Sequence, residues 1–474
     1  MFNLFLALPA WAAGIDTTRI LIGLLVGVIL LIVLVTMTKV HAFLAILLAA
    51  MTVALVGGVP GGEIAGVITS GFGGTLGSIG IIIGLGVIMG KIFEISGAAE
   101  TMARAFIKLF GKGREELALA VTGFIVSIPI FCDSAFVILF PIAKAISKKT
   151  RKNLLVLAGA LALGLVVTHT LVPPTPGPLY VAEAFGVEVG TMIFWGIIVA
   201  IPMVIVGLIY IKWVGKNINL VPNEDGVVEM VEVANVKLVD LKMEESDKKL
   251  PSTFMSFLPI LLPIVLILVK QLWGTIATAN GGSLPGFVSF IGHPVVSVSI
   301  GTLIAIYGLG FKVEKTKLLS YMDAGIKSAG IILLVTGAGG ALGNVIKQTG
   351  VGDTIAQAIS QWGIPAILIP FVIATLVRFV QGSGTVSLIT SAAISAPILS
   401  TLGISPVFAA LSAMIGGVFF SYFNDSYFHV VNRSLNLEDP KLQMKFWTGT
   451  TTVAWATGIV TVVILNLIFG GFVG

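Results

Sequence analysis

The sequence predicts an all-α, polytopic membrane protein with inverted-topology repeats, about ten transmembrane helices and two opposed re-entrant hairpins. Three observations predict it. The first is composition: of 474 residues, 56% are hydrophobic and 11% charged, whereas soluble domains carry about 25% charge. Mean hydropathy is +1.06. The second is a pair of apolar arms, 117–130 and 135–146, on either side of Asp133. As helices they reach only about 18–21 Å, against a hydrocarbon core of about 30 Å. Their outer flanks are both basic, with Lys108, Lys112 and Arg114 before and Lys144, Lys148, Lys149, Arg151 and Lys152 after. Basic flanks mark the cytoplasmic face, so 117–147 reads as a hairpin that enters and leaves from inside. The third is a second pair of arms, 364–380 and 386–399, around Gln381-Gly-Ser-Gly-Thr385. Arg378 is the only basic residue between Gln361 and Thr401, so the hairpin 364–400 opens outside.

The remaining elements follow in order. Residues 1–14 contain Leu-Pro-Ala-Trp-Ala-Ala but no basic start; they read as an outer-face tail, with a cleaved signal peptide as the other reading. Spans are expected over 20–35 and 42–56, with Lys39 at an inner turn. The glycine-rich 57–74 is placed outside, and 76–95 crosses inward. Residues 98–110 read as an interfacial helix, with Lys91 and Glu94 just before it spaced for a mutual ion pair. After the first hairpin, 154–170 crosses outward to a proline-rich break, Pro173-Pro-Thr-Pro-Gly-Pro178, and 192–211 returns. Residues 217–252 are a polar cytoplasmic linker between a first repeat, 1–216, and a second, 253–474. In the second repeat, spans are expected over 254–269, 294–309, 328–346, 407–420 and 446–469. Gly84-Leu-Gly-Val-Ile-Met-Gly90 through Gly97 and Thr101 can be laid on Gly337-Ala-Gly-Gly-Ala-Leu-Gly343 through Gly350 and Thr354. Each copy leads into a hairpin, and the two hairpins have opposite flank charge. That is the plan of many secondary transporters, with a site at the repeat interface.

Composition also excludes. One cysteine, Cys132, rules out an internal disulfide and a cysteine metal site. Four dispersed histidines and the lack of a nucleotide-binding loop point to no metal, no cofactor and no nucleoside-triphosphate drive. The net charge of +5 sits in short loops between apolar runs and is not a nucleic-acid signal.

The chemistry lies at the breaks. Irregular backbone at mid-membrane depth is tolerated only where protein or a wet cavity covers it, and an acid there is a functional candidate. Asp133 reads as a helix cap, an acceptor for sugar-type hydroxyls, or a proton carrier. Gln381, Ser383 and Thr385 offer neutral donors, while Gly382 and Gly384 permit close approach. The start of each second arm offers free N–H groups to an anion, which favours a small anion bearing hydroxyls. His169, with Thr175 and Gly177 in the proline-rich run, forms a third break; Asn424 and Asp425 form its counterpart. Arg378 reads as a counter-charge for substrate or as the partner of an internal acid such as Asp425.

At these residues the chain resembles the gluconate:proton symporter (GntP) family. The matching blocks are Gly71 to Gly80, Gly90 to Gly97, Ile128 to Leu139, His169 to Pro178, Arg378 to Thr385 and Ser421 to Ser426, in the family's order. The resemblance implies a proton-coupled importer of gluconate or a related hydroxy-monocarboxylate, with D-serine among the family's substrates. It also implies a fold with two opposed hairpins, often dimeric, in the bacterial inner membrane. Two departures stand out. The tip is Phe131-Cys-Asp-Ser-Ala-Phe136 where the family commonly has Phe-Phe-(Asp/Glu)-Val-Gly-Phe, and Thr175 stands where many members have histidine. A smaller or different hydroxy acid is therefore open as substrate.

The expected substrate site is Asp133, Ser134, His169, Thr175, Gly177, Gln381, Gly382, Ser383, Gly384, Thr385, Asn424 and Asp425. Asp133 and Asp425 are the proton-coupling candidates. The expected partners are a small organic anion, a coupling proton or sodium ion, the bilayer and a second copy of the chain. Both termini are expected outside. Two other classes compete. An anion channel needs a continuous pore, which closed opposed hairpins oppose. An intramembrane protease needs a catalytic constellation, for which only Asp133 and Asp425 offer material.

Overall fold

The computed structural model describes residues 17–111, 113–216, 218–223, 228–230, 250–349, 365–400 and 402–471. The tail 1–14, most of the linker, and the second-repeat positions Gly350 and Thr354 lie outside the described residues.

The first half comprises α1 (Thr17–Met37), α2 (Ala42–Gly57), α3 (Gly61–Ser96), α4 (Ala98–Phe110), α5 (Glu115–Val126), α6 (Cys132–Thr150), α7 (Leu154–Leu171), α8 (Pro176–Ala184) and α9 (Val189–Gly215). The second half comprises α10 (Thr253–Ala279), α11 (Pro294–Ile304), α12 (Lys315–Thr349), α13 (Leu368–Gln381), α14 (Gly384–Leu399), α15 (Pro406–Gly416), α16 (Ser426–Ser434) and α17 (Gly449–Phe469). Short helices over Gly286–Ile291 and Pro440–Gln443, π-turns over Ala305–Leu309 and Met444–Thr448, and a 3-10 turn over Gly310–Lys312 complete its described part.

The two halves repeat one order: a long helix (α3, α12), a broken pair of arms (α5–α6, α13–α14), a helix that breaks (α7–α8, α15–α16), and a closing helix (α9, α17). Among the described residues, six stretches are long and apolar enough to cross a membrane: Gly61–Ser96, Leu154–Ala184, Val189–Gly215, Thr253–Thr278, Lys315–Thr349 and Pro440–Phe469. The other four expected spans are shorter apolar helices, Leu21–Leu34, Ala42–Gly57, Pro294–Leu309 and Pro406–Gly416. Apolar side chains are exposed along α1 and α10, for example Leu25, Ile29, Val265 and Leu272, whereas α7 and α14 are buried along nearly their whole length. A membrane protein sorts its helices in this way, because lipid covers the outer apolar faces.

One expectation is corrected. The glycine-rich 57–74 is not an outside loop; α3 begins at Gly61 and runs 36 residues. Its glycines form a helix crossing. A Cβ on Gly71 would lie 2.6 Å from Gly340 O and from Asn344 Cβ, and one on Gly340 would strike the Thr75 hydroxyl. Further along, Gly80 faces Leu333 and Gly325 faces Lys91. Rising numbers on α3 thus meet falling numbers on α12, so the two helices run antiparallel. Small residues let backbones approach where lipid offers no hydrophobic drive between helices. Asn344 reinforces the crossing, donating to Val67 O at 2.8 Å and to Ser70 Oγ at 3.0 Å. Gly340→Val is expected to lower the melting temperature by several degrees, since overpacking costs about 1–3 kcal/mol and one neighbour here is backbone. Gly66, with nothing within 4 Å of its Cβ position, is the control: Gly66→Ala should leave the melt unchanged or raised. Equal melts for the two variants would contradict the crossing.

Residues Ala98–Phe110 form a helix of their own, and Lys91 pairs with Glu94 at 2.7 Å. His41 and His293 cap the starts of α2 and α11 through Nδ1. The described part of the linker contains a two-stranded antiparallel ribbon, Leu220–Pro222 with Val228–Met230. Asn153 anchors its first strand, donating to Ile218 O at 2.5 Å and accepting from Leu220 N at 3.1 Å.

Candidate functional site

Four chain breaks meet at one cavity. The first lies between α5 and α6. Pro129 has no N–H to continue α5, and the chain restarts as a helix at Cys132 with Phe131 as its N-cap, which has no side-chain cap bond. Asp133 therefore sits in the first turn of α6 and is not its cap. Its Oδ1 accepts from Ser426 Oγ at 3.2 Å, and the Cys132 thiol lies 3.6 Å from its Oδ2.

The second break joins α13 to α14. Gly382 turns the chain with φ +86°, a conformation that glycine adopts without strain. Ser383 is the N-cap of α14, its Oγ accepting from Val386 N at 3.3 Å, and Gln381 Oε1 accepts from Ser383 N at 3.2 Å. Serine is a favoured cap, so the capping reading of Ser383 is realised. Among the described residues, the next two N–H groups, of Gly384 and Thr385, have no acceptor. They belong to the orphan donors that every helix start leaves.

The third break lies between α7 and α8. It is buried, not an exposed outer loop: Thr175 is 5% exposed. The Thr175 hydroxyl bonds to the carbonyls of His169 (3.0 Å) and Val172 (2.9 Å). His169 packs edge-on against Phe131, ring centroids 5.5 Å apart, and its Nδ1 is buried without a partner among the described residues.

The fourth break runs from α15 to α16. Asp425 caps α16, Oδ1 accepting from Tyr427 N at 3.1 Å. Asn424 Nδ2 donates to Phe379 O (3.1 Å) and Val380 O (3.3 Å), and the Tyr422 hydroxyl donates to Phe379 O (2.8 Å). These bonds cover the orphan carbonyls at the end of α13. Arg378 Nη2 lies 2.6 Å from Asp425 Oδ2, so the arginine has an internal acid as partner and also borders the cavity.

The cavity has a volume of about 310 Å³, the lower end of the range for small-molecule sites. Of the sequence-predicted residues, Asp133, His169, Arg378, Gln381, Gly382, Ser383, Gly384, Thr385, Asn424 and Asp425 line it. Ser134, Thr175 and Gly177 do not. Thr175 spends its hydroxyl on its own break, and Gly177 packs against α14, where a Cβ would lie 2.6 Å from Leu388 Cδ1. Sequence reading missed Cys132, Thr170, Ser426 and Tyr427 among the polar lining, and Val166, Pro178, Leu388 and Gly417 among the apolar. Val166 precedes His169 by three residues and Thr170 by four, the spacing of one helix face, a periodicity that could have found Val166. Ser426 and Tyr427 directly follow Asp425 and begin α16.

The starts of α6, α8, α14 and α16 thus all contribute lining residues. Each helix start carries roughly half a positive charge, set against the two carboxylates, Asp133 and Asp425, that border the cavity.

The family described as GntP family permease matches residues 19–468. The chain belongs to that family. This GntP-family permease is a multi-pass membrane transporter. It is 50% identical over 413 residues to an uncharacterized permease of Haemophilus influenzae, covering 86% of this chain and 84% of that one. It is 32% identical to the gluconate permease of Pseudomonas aeruginosa, over 84% and 86% of the two chains. It is also 32% identical to the D-serine transporter DsdX of Escherichia coli K12, over 86% and 89%. Among solved structures, the Alcanivorax borkumensis YdaH transporter superposes with a TM-score of 0.62, covering 96% of this permease and 99% of that chain. At 14% identity that likeness carries the fold alone.

Proposed function

We propose that this permease imports a small hydroxy-monocarboxylate, gluconate or a related sugar acid, by proton symport across the bacterial inner membrane. The observation that carries the reading is the pair of unpartnered N–H groups of Gly384 and Thr385 at a cavity bordered by four helix starts. A substrate carboxylate takes those donors, as anions do at helix N-termini. Its hydroxyls meet Asp133, His169, Gln381, Asn424 and Ser426. The gluconate permease of Pseudomonas aeruginosa, similar over most of its length, supports the substrate class.

The two carboxylates differ in what holds them. Asp425 accepts from a guanidinium, the Ser421 hydroxyl and a backbone N–H, so its charge is compensated. Asp133 has one hydroxyl and one weak thiol donor. Asp133 is therefore the proton carrier in this reading, neutral while substrate is bound and free of repulsion toward it. Asp425, engaged by Arg378, is unavailable for a shared-proton pair of the protease kind. The hairpin arms with α7–α8 and α15–α16 form the moving unit. Helices α1–α3 and α10–α12 form the scaffold and the contact with a second copy. The base of the first hairpin and the linker face the cytoplasm, with both termini outside.

A second reading has one observation in its favour. The D-serine transporter is as similar to this chain as the gluconate permease. An ionised Asp133 would suit the ammonium of such a substrate.

The test is uptake of labelled gluconate into proteoliposomes under an inward proton gradient without sodium, with glycerate and D-serine as competitors. Gradient-driven accumulation competed by glycerate supports the reading. Competition by D-serine alone selects the second reading, and a sodium requirement refutes proton coupling.

A further inference from the structure

Among the described residues, Arg378 is the only basic side chain other than His169 on the cavity wall, and it is already occupied. Among the described ion pairs, only Arg378–Asp425 has both side chains at or below 10% exposure. A buried guanidinium would otherwise be the strongest anion receptor in the site, since it binds carboxylates through paired hydrogen bonds.

The pairing is built in from behind. Asp425 Oδ2 accepts both from Arg378 and from the Ser421 hydroxyl. Ser421 is fixed through all three of its polar groups. Its Oγ accepts from Trp447 Nε1 at 2.9 Å, its carbonyl accepts from Thr448 Oγ1 at 2.6 Å, and its N–H donates to Thr451 Oγ1 at 3.1 Å. Trp447 and Thr448 belong to the π-turn Met444–Thr448 that precedes α17. Such turns are rare and recur at functional sites. Trp447 is fully buried and packs edge-on against Tyr427, which itself lines the cavity.

This arrangement sets the charge that the cavity can accept. With Arg378 cancelled by Asp425, what remains for substrate is the partial positive charge of the helix starts. That suffices for one carboxylate at α14. A second carboxylate on the same substrate would need a full cation, and the one guanidinium on the described wall is already paired. We propose that Asp425 is a specificity-determining residue that withholds Arg378 from the cavity, limiting this permease to monocarboxylates, with Ser421 and Trp447 as positioning residues that act through it. The inference rests on the transport reading above and adds a charge filter to it.

Gluconate and glucarate share one six-carbon polyol chain and differ by a carboxylate, so they are the matched probes. The measurement is inhibition of labelled gluconate uptake by each, in proteoliposomes. In the wild type, glucarate should compete at least about tenfold less well than gluconate, the factor one charge-assisted hydrogen bond supplies. Asp425→Asn keeps a capping side chain for α16 but frees the guanidinium, and glucarate should then compete as well as gluconate or better. Arg378→Gln leaves Asp425 uncompensated at the cavity and should lose gluconate uptake. Arg378→Gln/Asp425→Asn restores the charge balance and should recover both gluconate uptake and rejection of glucarate. A merely structural role would not give that recovery. Ser421→Ala retains both charges and should narrow the discrimination by a few-fold. If Asp425→Asn does not reach the membrane, Ser421→Ala decides, and an unchanged ratio there overturns the inference. So does a wild type that takes glucarate as readily as gluconate. A wild type that takes up none of gluconate, glycerate and D-serine overturns the transport reading and the inference together. One that takes up any of them, while Asp425→Asn rejects the dicarboxylate as the wild type does, overturns the inference alone.

Discussion

Asp133→Asn is expected to abolish proton-driven accumulation of gluconate while leaving exchange of internal for external gluconate in place. A gradient of about two pH units sustains roughly hundredfold accumulation at one proton per substrate, at about 1.4 kcal/mol per tenfold. Removing the proton carrier should bring that ratio to about one. The variant is close to isosteric, and its amide oxygen can still accept from Ser426, which lies 3.2 Å from Asp133 Oδ1. The first hairpin should therefore keep its place against α16. An amide resembles a protonated carboxyl in charge, so the substrate-bound arrangement should survive and exchange should continue. The proposed division of labour between the two acids makes this a sharp test. If Asp133→Asn still accumulates gluconate against a gradient, the proton travels elsewhere. If it loses exchange as well, Asp133 is a ligand for substrate hydroxyls and not the carrier.

Much of the architecture was legible because membrane segments leave a length signature. An arm of 12–14 apolar residues is too short to span and too apolar to be a loop. The structure places the arms at Glu115–Val126 with Cys132–Thr150, and at Leu368–Gln381 with Gly384–Leu399. The cavity residues at the tips were legible for a related reason: polar groups in apolar surroundings stand out. Three things were not. The glycines of 61–74 read as loop because propensity disfavours glycine in helices, whereas the partners of Gly71 on α12 lie some 270 residues away. The pairing of Arg378 with Asp425, and of Asp133 with Ser426, depends on which breaks the fold brings together, and spacing carries no trace of that. Thr175 looked like a ligand by its place in the motif, yet its hydroxyl is consumed by the break it stabilises.

Gly382→Ala is expected to reduce transport at least tenfold, because two independent penalties fall on one tip. Its φ of +86° lies where a side chain costs about 1–3 kcal/mol. The added Cβ would also strike the Asn424 carbonyl oxygen, with Asn424 C and Cγ both 2.7 Å away. That neighbour cannot yield easily. Asn424 is tied to Phe379 O and Val380 O, and the next residue holds Arg378. Moving the tip away from this break would displace the N–H groups of Gly384 and Thr385 from the cavity and strain the ion pair together. Overpacking adds about 1–3 kcal/mol, so the sum is enough to shift the tip. Gly403 separates the two causes. It has φ +63° but nothing within 4 Å of its Cβ position, and it does not line the cavity. Gly403→Ala should lower the melting temperature modestly and leave transport per molecule intact. Uptake normalised to protein, with a thermal melt of each variant, reads both effects. Wild-type uptake in Gly382→Ala would mean that the close approach of the second tip to Asn424 has no part in transport.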